Sequence, residues 1–302
     1  MEQNPLVSVV IPTYNRAHYL GEAIDSVLQQ TYPHYEIIVI DDGSKDNTPE
    51  VVAKYGSRVI SVRKENGGLA RARNAALSHV KGELVCFLDD DDRWVPEKLE
   101  KQVACFQEDP ALDLCYSASV TFMEGEEVRI EDGFIGEKAD FHTVLNHEFP
   151  PIMTLMVRTS VMQELNGFDT TVPGVEDWDL ELKLFAGYKV RGIRERLVEI
   201  RNHRNNMSKN LEKFIPISMR VLQNNLHHHG DCAECRRISG NINRWMRDRL
   251  FNTRRDQAIE AYRSRAWGEG TRCYLRAVGA LTISQQMNWL GSKLLPKSKQ
   301  RV

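Results

Sequence analysis

Residues 84–94 read Leu84-Val85-Cys86-Phe87-Leu88-Asp89-Asp90-Asp91-Asp92-Arg93-Trp94. The five apolar residues at the start predict a strand that is buried on both faces. Four carboxylates follow at once, and because like charges this close repel one another, they need a compensating cation. A hard divalent metal takes oxygen ligands and can share them with substrate phosphates. The stretch therefore predicts either a metal site at the end of a buried strand or a solvated acidic loop, and it does not by itself separate the two.

The chain before this stretch alternates between short apolar strands and helices. Strands are predicted at 6–11, 36–40 and 58–62, and helices at 17–30, from Thr48, at 69–79 and, after the acidic run, at 96–106. This alternation predicts an α/β domain with a mostly parallel sheet and right-handed crossovers. In such sheets ligands bind beyond the carboxyl ends of the strands. Three polar segments fall there, so we expect one cleft to collect them: Pro12 to Arg16, Asp41-Asp42, and Asp89 to Asp92.

The pattern changes from Asp113 onward. A hairpin is predicted over 114–130 across Glu124-Gly125-Glu126, with further strands at 152–157 and 190–200. The rest reads as helices at 211–229, 233–250, 254–267 and 270–290. We therefore predict two domains, an α/β domain over 1–208 and a helical C-terminal region over 209–302.

Composition and charge narrow the class of protein. The 302 residues are 41% hydrophobic and 27% charged with a net charge of -2, which is typical of a globular protein and gives no reason to expect a nucleic-acid partner. The N-terminus lacks a signal-peptide pattern, and the six cysteines form no disulfide framework, so we expect a cytoplasmic protein. From residue 236 onward, 15 Lys and Arg stand against 4 Asp and Glu. This basic region predicts peripheral contact with the inner face of the membrane, and the alternatives are a solvated helical face or a homodimer contact.

Several side chains near the predicted cleft have chemistry suited to a nucleotide. The ring of Tyr14 can stack on a nucleobase, and Asp42 can accept hydrogen bonds from a base or a ribose. Arg71 and Arg73 can add positive charge near phosphates, although a solvated helical face explains them as well.

Six motifs in a fixed order resemble the glycosyltransferases of family 2. They cover about the first 205 residues, and each is weak alone while the ordered set is specific. The motifs are Val7 to Arg16, Asp41 to Asp46, Asn66 to Asn74, Phe87 to Trp94, Gly167-Phe168-Asp169, and Glu176-Asp177-Trp178-Asp179. The resemblance implies the GT-A fold, a nucleotide-diphospho-sugar donor, a divalent metal (Mn²⁺ or Mg²⁺), and inversion at the sugar carbon.

The resemblance also implies roles for individual residues. Asp177 matches the catalytic base, with Glu176 as the competing candidate. The metal ligands would be Asp91 and Asp89, with His203 near the metal or the diphosphate. Asp90-Asp91-Asp92 fits the metal-binding pattern as well as Asp89-Asp90-Asp91 does, and we expect Asp92 to be the most replaceable of the four unless the register shifts by one to the second set. The donor site would be formed by Pro12, Thr13, Tyr14, Asp42, Asn66, Gly67, Arg71, Asp89 and Asp90.

The leading interpretation is therefore a metal-dependent inverting glycosyltransferase. We expect it to move a sugar from a donor such as a uridine-diphospho-sugar to a saccharide or lipid-linked acceptor, in bacterial surface polysaccharide or lipid-linked glycan synthesis. The helical C-terminal region would contact the acceptor, the membrane or a second subunit. The alternatives are a non-catalytic nucleotide-sugar-binding scaffold and a nucleotidyltransferase.

The C-terminal region also contains His227-His228-His229 followed by Cys232 and Cys235. These are zinc-ligand types, but a structural zinc site usually needs two well-spaced pairs, and only one Cys-x-x-Cys is present. We therefore do not predict a zinc site from this stretch alone.

Overall fold

The structure of the chain is a computed structural model that describes residues 4–123, 129–130, 139–146, 148–203, 211–230, 232–264 and 267–279. Within these ranges the protein is a mixed α/β fold followed by helices.

The N-terminal part forms a parallel half-sheet. Its strands are β1 (Val7–Thr13), β2 (Tyr35–Asp41), β3 (Ile60–Arg63) and β4 (Leu84–Phe87), and they lie in the order β3-β2-β1-β4 with every neighbour parallel. Helices α1 (Ala17–Leu28), α2 (Thr48–Ala53) and α3 (Leu69–Leu77) connect them. All residues of β1 and β4 are buried, as the continuous apolar runs predict. The carboxyl ends of β2, β1 and β4 therefore lie side by side.

The second half of the sheet is attached through an antiparallel strand. It comprises β5 (Arg93–Trp94), β6 (Leu114–Met123), β7 (Arg129–Ile130), β8 (Leu155–Arg158) and β9 (Val190–Asn202). The order continues β4-β8-β6-β9-β5, with β7 paired to β6. β8 runs antiparallel to β4 and β6, whereas β6 and β9 are parallel. The helices of this half are α4 (Lys98–Glu108), α5 (Phe141–Leu145), α6 (Thr159–Glu164) and α7 (Glu176–Gly187).

The strand β5 was not predicted from the sequence. It is only two residues long and follows the acidic run at once, and it pairs with β9 through Arg93↔Glu199 and Trp94↔Val198. This pairing holds the end of the last strand against residues 89–92. The β6–β7 pairing agrees with the predicted hairpin, whose turn lies outside the described residues.

The C-terminal helices are α8 (Leu211–Asn225), α9 (Ala233–Arg263) and α10 (Trp267–Gly279). The two helices predicted at 233–250 and 254–267 are wrong as separate elements, because α9 is continuous to Arg263 with no Pro or Gly in 251–263 to end it. Apolar residues of α8 and α9, such as Val221 and Met246, belong to the same buried cluster as the sheet.

Two predictions about this region remain untested. The boundary near residue 208 falls in a stretch outside the described residues, and so does the part of the predicted membrane-binding region from residue 280 onward. Among the helices that the structure describes, none combines the length and apolarity needed to cross a bilayer.

Candidate active site

The acidic run leaves the sheet at the carboxyl end of β4 and forms a tight turn. The Asp92 N–H donates to the Asp89 carbonyl at 3.1 Å. The turn gathers Asp89, Asp91 and Asp92, which each offer one carboxylate oxygen within 4.8 Å of the others. Asp90 is buried apart from this group. A metal site in residues 84–94 is thus geometrically feasible, with oxygen ligands of the kind that Mg²⁺ and Mn²⁺ prefer.

Asp91 is held by two nitrogen groups from distant parts of the chain. Arg16, which precedes α1, forms an ion pair with its Oδ2. The Nε2 atom of His203, just after β9, lies 2.8 Å from the same oxygen. The His203 ring is buried and stacks on Tyr19 at 5.3 Å. The structure therefore brings the predicted pair of Asp91 and His203 together. Arg16 is a further partner of Asp91; it ends the first sequence motif, which gave it no role of its own.

Asp92 is the most buried of the four aspartates. It is buried, and its Oδ1 accepts the Arg201 backbone N–H of β9 at 2.8 Å. Burial and then the charges of Asp91 and Asp89 raise its pKa well above the usual value for an aspartate. Burial also raises the pKa of Asp90 to about 7. The geometry argues against the expectation that Asp92 is the most replaceable, because this side chain joins the acidic turn to the last strand.

One buried arginine joins the acidic turn to α7. Arg73 on α3 is fully buried, and its Nη2 donates to Asp89 Oδ1 at 2.7 Å. Its Nη1 donates to Asp177 Oδ1 in the first turn of α7. The guanidinium also lies over the Phe168 ring, 5.1 Å from its centroid. A single cation thus sets the predicted base beside the predicted metal and donor carboxylates.

Asp177 and Glu176 point in different directions, which separates the two candidates for the base. Glu176 is buried and accepts the Gly174 N–H in the turn before its own helix. Asp177 keeps 31% of its side chain exposed. Burial raises the pKa of Asp177 to about 7, Arg73 opposes the rise, and the Glu176 charge adds to it. Asp177 therefore has the accessible carboxylate, with a pKa near neutrality.

Asn74 on α3 also contacts the segment that leads into α7. Asn74 Nδ2 donates to the Phe168 carbonyl, and Asn74 Oδ1 accepts the Phe168 N–H, both at 2.8 Å. Gly167 lies at φ +70°, where an added Cβ would meet Asn74 Oδ1 at 2.4 Å. Glycine is thus required both for the backbone angle and for the close approach of Asn74.

The second predicted cluster lies at the end of β2. Asp42 is buried and accepts from the N–H groups of Gly67 at 3.0 Å and Gly68 at 2.8 Å. Asn66 Nδ2 donates to the Asp42 carbonyl at 3.0 Å, and Lys64 Nζ lies 2.6 Å from Asp42 Oδ1. The predicted set of Asp42, Asn66 and Gly67 is thus in contact, and Lys64 is an addition that no motif indicated.

The remaining donor-site residues lie at the end of β1. Pro12 and Thr13 are buried in the strand, whereas Tyr14 is 42% exposed, as a ring that receives a base would be. Arg71 is exposed and beside Gly67, and no described contact joins it to the aspartates. Of the two arginines predicted on α3, Arg73 is the one that contacts the aspartates. The roles assigned to these residues stay predictions.

Comparison with known proteins identifies the family. The sequence profile described as glycosyl transferase family 2 matches residues 8–164. An uncharacterised glycosyltransferase of Rickettsia prowazekii is 34% identical over 212 residues, covering 67% of each chain. The putative teichuronic acid biosynthesis glycosyltransferase TuaG of Bacillus subtilis is 34% identical over 215 residues, covering 68% of this chain and 82% of TuaG. Chondroitin synthase of Pasteurella multocida is 35% identical over 188 residues, covering 60% of this chain and 19% of that protein.

Solved structures share the fold at low sequence identity. S. aureus TarS 1-349 in complex with UDP-GlcNAc has a TM-score of 0.62 at 18% identity, covering 95% of this chain and 92% of that one. The mannosyltransferase PcManGT from Pyrobaculum calidifontis, in complex with GDP-Man and Mn²⁺, has a TM-score of 0.61 at 19% identity, covering 97% and 81%. The fold is thus of the GT-A type. The chain belongs to glycosyl transferase family 2. The predicted fold class and glycosyltransferase function are confirmed.

Proposed function

We propose that the protein is a metal-dependent, inverting glycosyltransferase that uses a nucleotide-diphospho-sugar in the synthesis of a polysaccharide or lipid-linked glycan. The observation that carries the proposal is the Arg73 bridge, which sets an accessible carboxylate, Asp177, beside Asp89 of the acidic turn. TuaG and chondroitin synthase support a polysaccharide product by their names. TarS and PcManGT support a nucleotide-sugar donor by their bound ligands.

Asp177 would act as the general base. The acceptor hydroxyl oxygen forms the bond to the sugar carbon, its proton passes to Asp177, and the bond from that carbon to the diphosphate oxygen breaks. Arg73 already donates to Oδ1, so Oδ2 is the atom that we expect to take the proton. A base with a pKa near the operating pH suits this task. Attack from the side opposite the leaving group inverts the sugar carbon.

Asp91 and Asp89 would hold the metal, with Asp92 and His203 next to them. The donor set fits a hard divalent cation, because three carboxylate oxygens lie within 4.8 Å of one another. When bound, the metal would neutralise charge on the diphosphate leaving group. Arg16 now pairs with Asp91, and we expect it to turn toward the diphosphate when a cation binds there.

Asp42, Asn66 and Gly67 would receive the nucleoside, with Tyr14 against the base. The Asp42 carboxylate is fixed by the two glycine N–H groups and Lys64, so it is oriented before any ligand arrives. UDP-sugars are our first expectation for the donor, and GDP-sugars belong in any screen because PcManGT was solved with GDP-Man. Membrane contact and a dimer remain predictions.

A donor screen tests the proposal. The purified chain is mixed with UDP- and GDP-sugars in the presence and absence of Mn²⁺, and melting temperature and release of nucleoside diphosphate are measured. A bound donor raises the melting temperature by mass action. We expect one nucleotide class to bind and to be turned over slowly to water with Mn²⁺. Binding without turnover on any acceptor would favour the scaffold alternative, and absence of both would overturn the proposal.

A further inference from the structure

A second cluster of metal-ligand side chains lies outside the candidate active site. It consists of His142 on α5, His229 at the end of the 3-10 turn after α8, and Cys232 and Cys235 at the start of α9. One ligand atom from each lies within 4.8 Å of every other. The cluster joins parts of the chain about 90 residues apart, since His142 precedes the Cys-x-x-Cys by that distance.

Three sulfur–nitrogen separations in the cluster are close to those of a tetrahedral site. His142 Nε2 lies 3.4 Å from the Sγ atoms of both Cys232 and Cys235, and His229 Nδ1 lies 3.3 Å from Cys235 Sγ. A tetrahedral zinc with ordinary Zn–S and Zn–N bonds would place sulfur and nitrogen about 3.6 Å apart. The other separations among the four ligand atoms are all within 4.8 Å, so small side-chain movements bring the four atoms around one ion.

The surroundings of the cluster orient the ligands for this task. The Cys235 N–H donates to Cys232 Sγ at 3.4 Å, and both cysteines lie at the N-terminal end of α9. The His229 ring stacks on Phe141 with centroids 4.8 Å apart and an angle of 15°. The two imidazoles and two thiols thus face one another, with the His229 ring held by stacking on Phe141 and the Cys232 thiol held by the Cys235 N–H.

We propose that His142, His229, Cys232 and Cys235 form a structural Zn²⁺ site. Two thiolates and two imidazoles are a standard donor set for closed, tetrahedral zinc.

The site would fasten the C-terminal region to the catalytic fold. Zinc would tie the start of α9 to α5, and α5 packs on α7, where Trp178 Nε1 donates to the Val144 carbonyl at 2.7 Å. Trp178 follows Asp177 directly. The ion would therefore brace the helix that carries the proposed base without belonging to the site of the chemistry.

The sequence alone does not predict this zinc site, because the C-terminal region contains only one Cys-x-x-Cys. The missing ligand, His142, comes from a helix in the other part of the chain, where nothing in its neighbourhood marks it as a ligand. The rings of His227 and His228 pack on each other, with centroids 4.0 Å apart, and do not join the cluster. Only His229 of the three consecutive histidines therefore contributes a ligand atom.

Metal analysis of the full chain tests the proposal. Protein purified from zinc-supplemented cells without a histidine tag is expected to carry about one tightly held zinc per chain. After chelation under reducing conditions, titration with Co²⁺ should give the intense visible bands of tetrahedral cobalt and a thiolate-to-cobalt charge-transfer band. The cobalt experiment uses the native chain and therefore does not depend on the folding of any variant.

Matched variants assign the ligands. Cys235→Ser and His142→Ala should weaken zinc binding more than about 100-fold, beyond the loss that an outer-shell partner causes. Cys273→Ser and His228→Ala, which change the same residue types outside the cluster, should leave zinc binding unchanged. His142→Cys should restore zinc and shift the cobalt bands as a third thiolate binds.

Three results would overturn the proposal. They are a chain without zinc and without tetrahedral cobalt bands, equal zinc loss in the control variants, and a Cys232–Cys235 disulfide in freshly purified protein that resists metal loading. None of these depends on donor turnover, so the zinc site and the proposed function succeed or fail separately.

Discussion

Replacing Arg73 with glutamine removes the one cation that joins Asp89 to Asp177. The guanidinium is fully buried, and it donates one hydrogen bond to each carboxylate. Glutamine is shorter and uncharged, so it leaves two carboxylates, with Glu176 nearby, without their shared counter-charge.

The loss of stability in Arg73→Gln can be estimated from the exposure of Asp89 and Asp177. Removing one member of a buried ion pair costs about 3–5 kcal/mol. Asp177 and Asp89 retain 31% and 28% side-chain exposure, so water offsets part of the loss. We therefore expect the free energy of unfolding to fall by about 3 kcal/mol at neutral pH, near the low end of that range.

The same change should alter the pH dependence of turnover. Arg73 holds the pKa of Asp177 down, to about 7, against burial and the charge of Glu176. Without Arg73 the pKa of Asp177 rises further, and a larger fraction of the base is protonated at neutral pH. The acidic limb of the kcat profile should therefore move to higher pH. At a fixed pH on that limb, the rate should fall about tenfold for each whole pH step that the limb moves.

Urea unfolding and the pH profile of kcat measure the two effects, and Arg71→Gln is the control for stability. Arg71 lies exposed on the same helix, so its loss should change stability by no more than about 0.5 kcal/mol. Equal stability losses in the two variants, or an acidic limb that stays in place in Arg73→Gln, would refute the bridging role.

Three further changes have defined outcomes. Gly167→Ala should lower the free energy of unfolding in urea by more than about 2 kcal/mol, because residue 167 has a φ of +70° and an added Cβ would lie 2.4 Å from Asn74 Oδ1. Gly240→Ala is the control, since the space around residue 240 in α9 is open, and it should raise the free energy of unfolding by about 0.5–1 kcal/mol. Similar values for the two variants would contradict this. Glu181 is fully buried, neither of its carboxylate oxygens has a described hydrogen-bond partner, and burial raises its pKa well above the usual value. Wild-type stability should therefore fall as pH rises from the unfolded pKa of about 4.3 toward the raised folded value. Asp90, Asp92 and Asp177 also have raised pKa values, so Glu181→Gln should make the fall smaller without abolishing it, and an unchanged slope would contradict this. Asp91→Asn should lower Mn²⁺ affinity in calorimetric titration at least about tenfold, and an unchanged affinity would move the metal elsewhere.

Much of the fold could be predicted because its signals are local. Continuous apolar runs such as Val7–Ile11 and Leu84–Leu88 predict buried strands, and polar residues directly after them fall at one edge of a parallel sheet. The short strand β5 has no such signal, because two residues carry no periodicity and their pairing depends on β9, about 105 residues later.

The side-chain partners in the site were harder to predict. Arg71 and Arg73 are two residues apart on α3, so they point to nearly opposite sides, and choosing between them requires the phase of the helix against the sheet. The buried face of α3 carries Ala72, Arg73 and Ala76, which places Arg73 inward. Arg16 and His142 likewise take part through contacts across 75 and 90 residues of sequence, which no local pattern records.

The central claim is that Asp177 is the base of a glycosyl transfer. Its most direct test is kcat for Asp177→Asn with the donor and acceptor found by screening, alongside donor affinity and Glu176→Gln. We expect Asp177→Asn to bind the donor normally and lose turnover about 10²–10⁴-fold. Glu176→Gln can still accept the Gly174 N–H through its amide oxygen, so it should retain most of the activity. An Asp177→Asn variant that keeps turnover, or a loss confined to Glu176→Gln, would contradict the assignment.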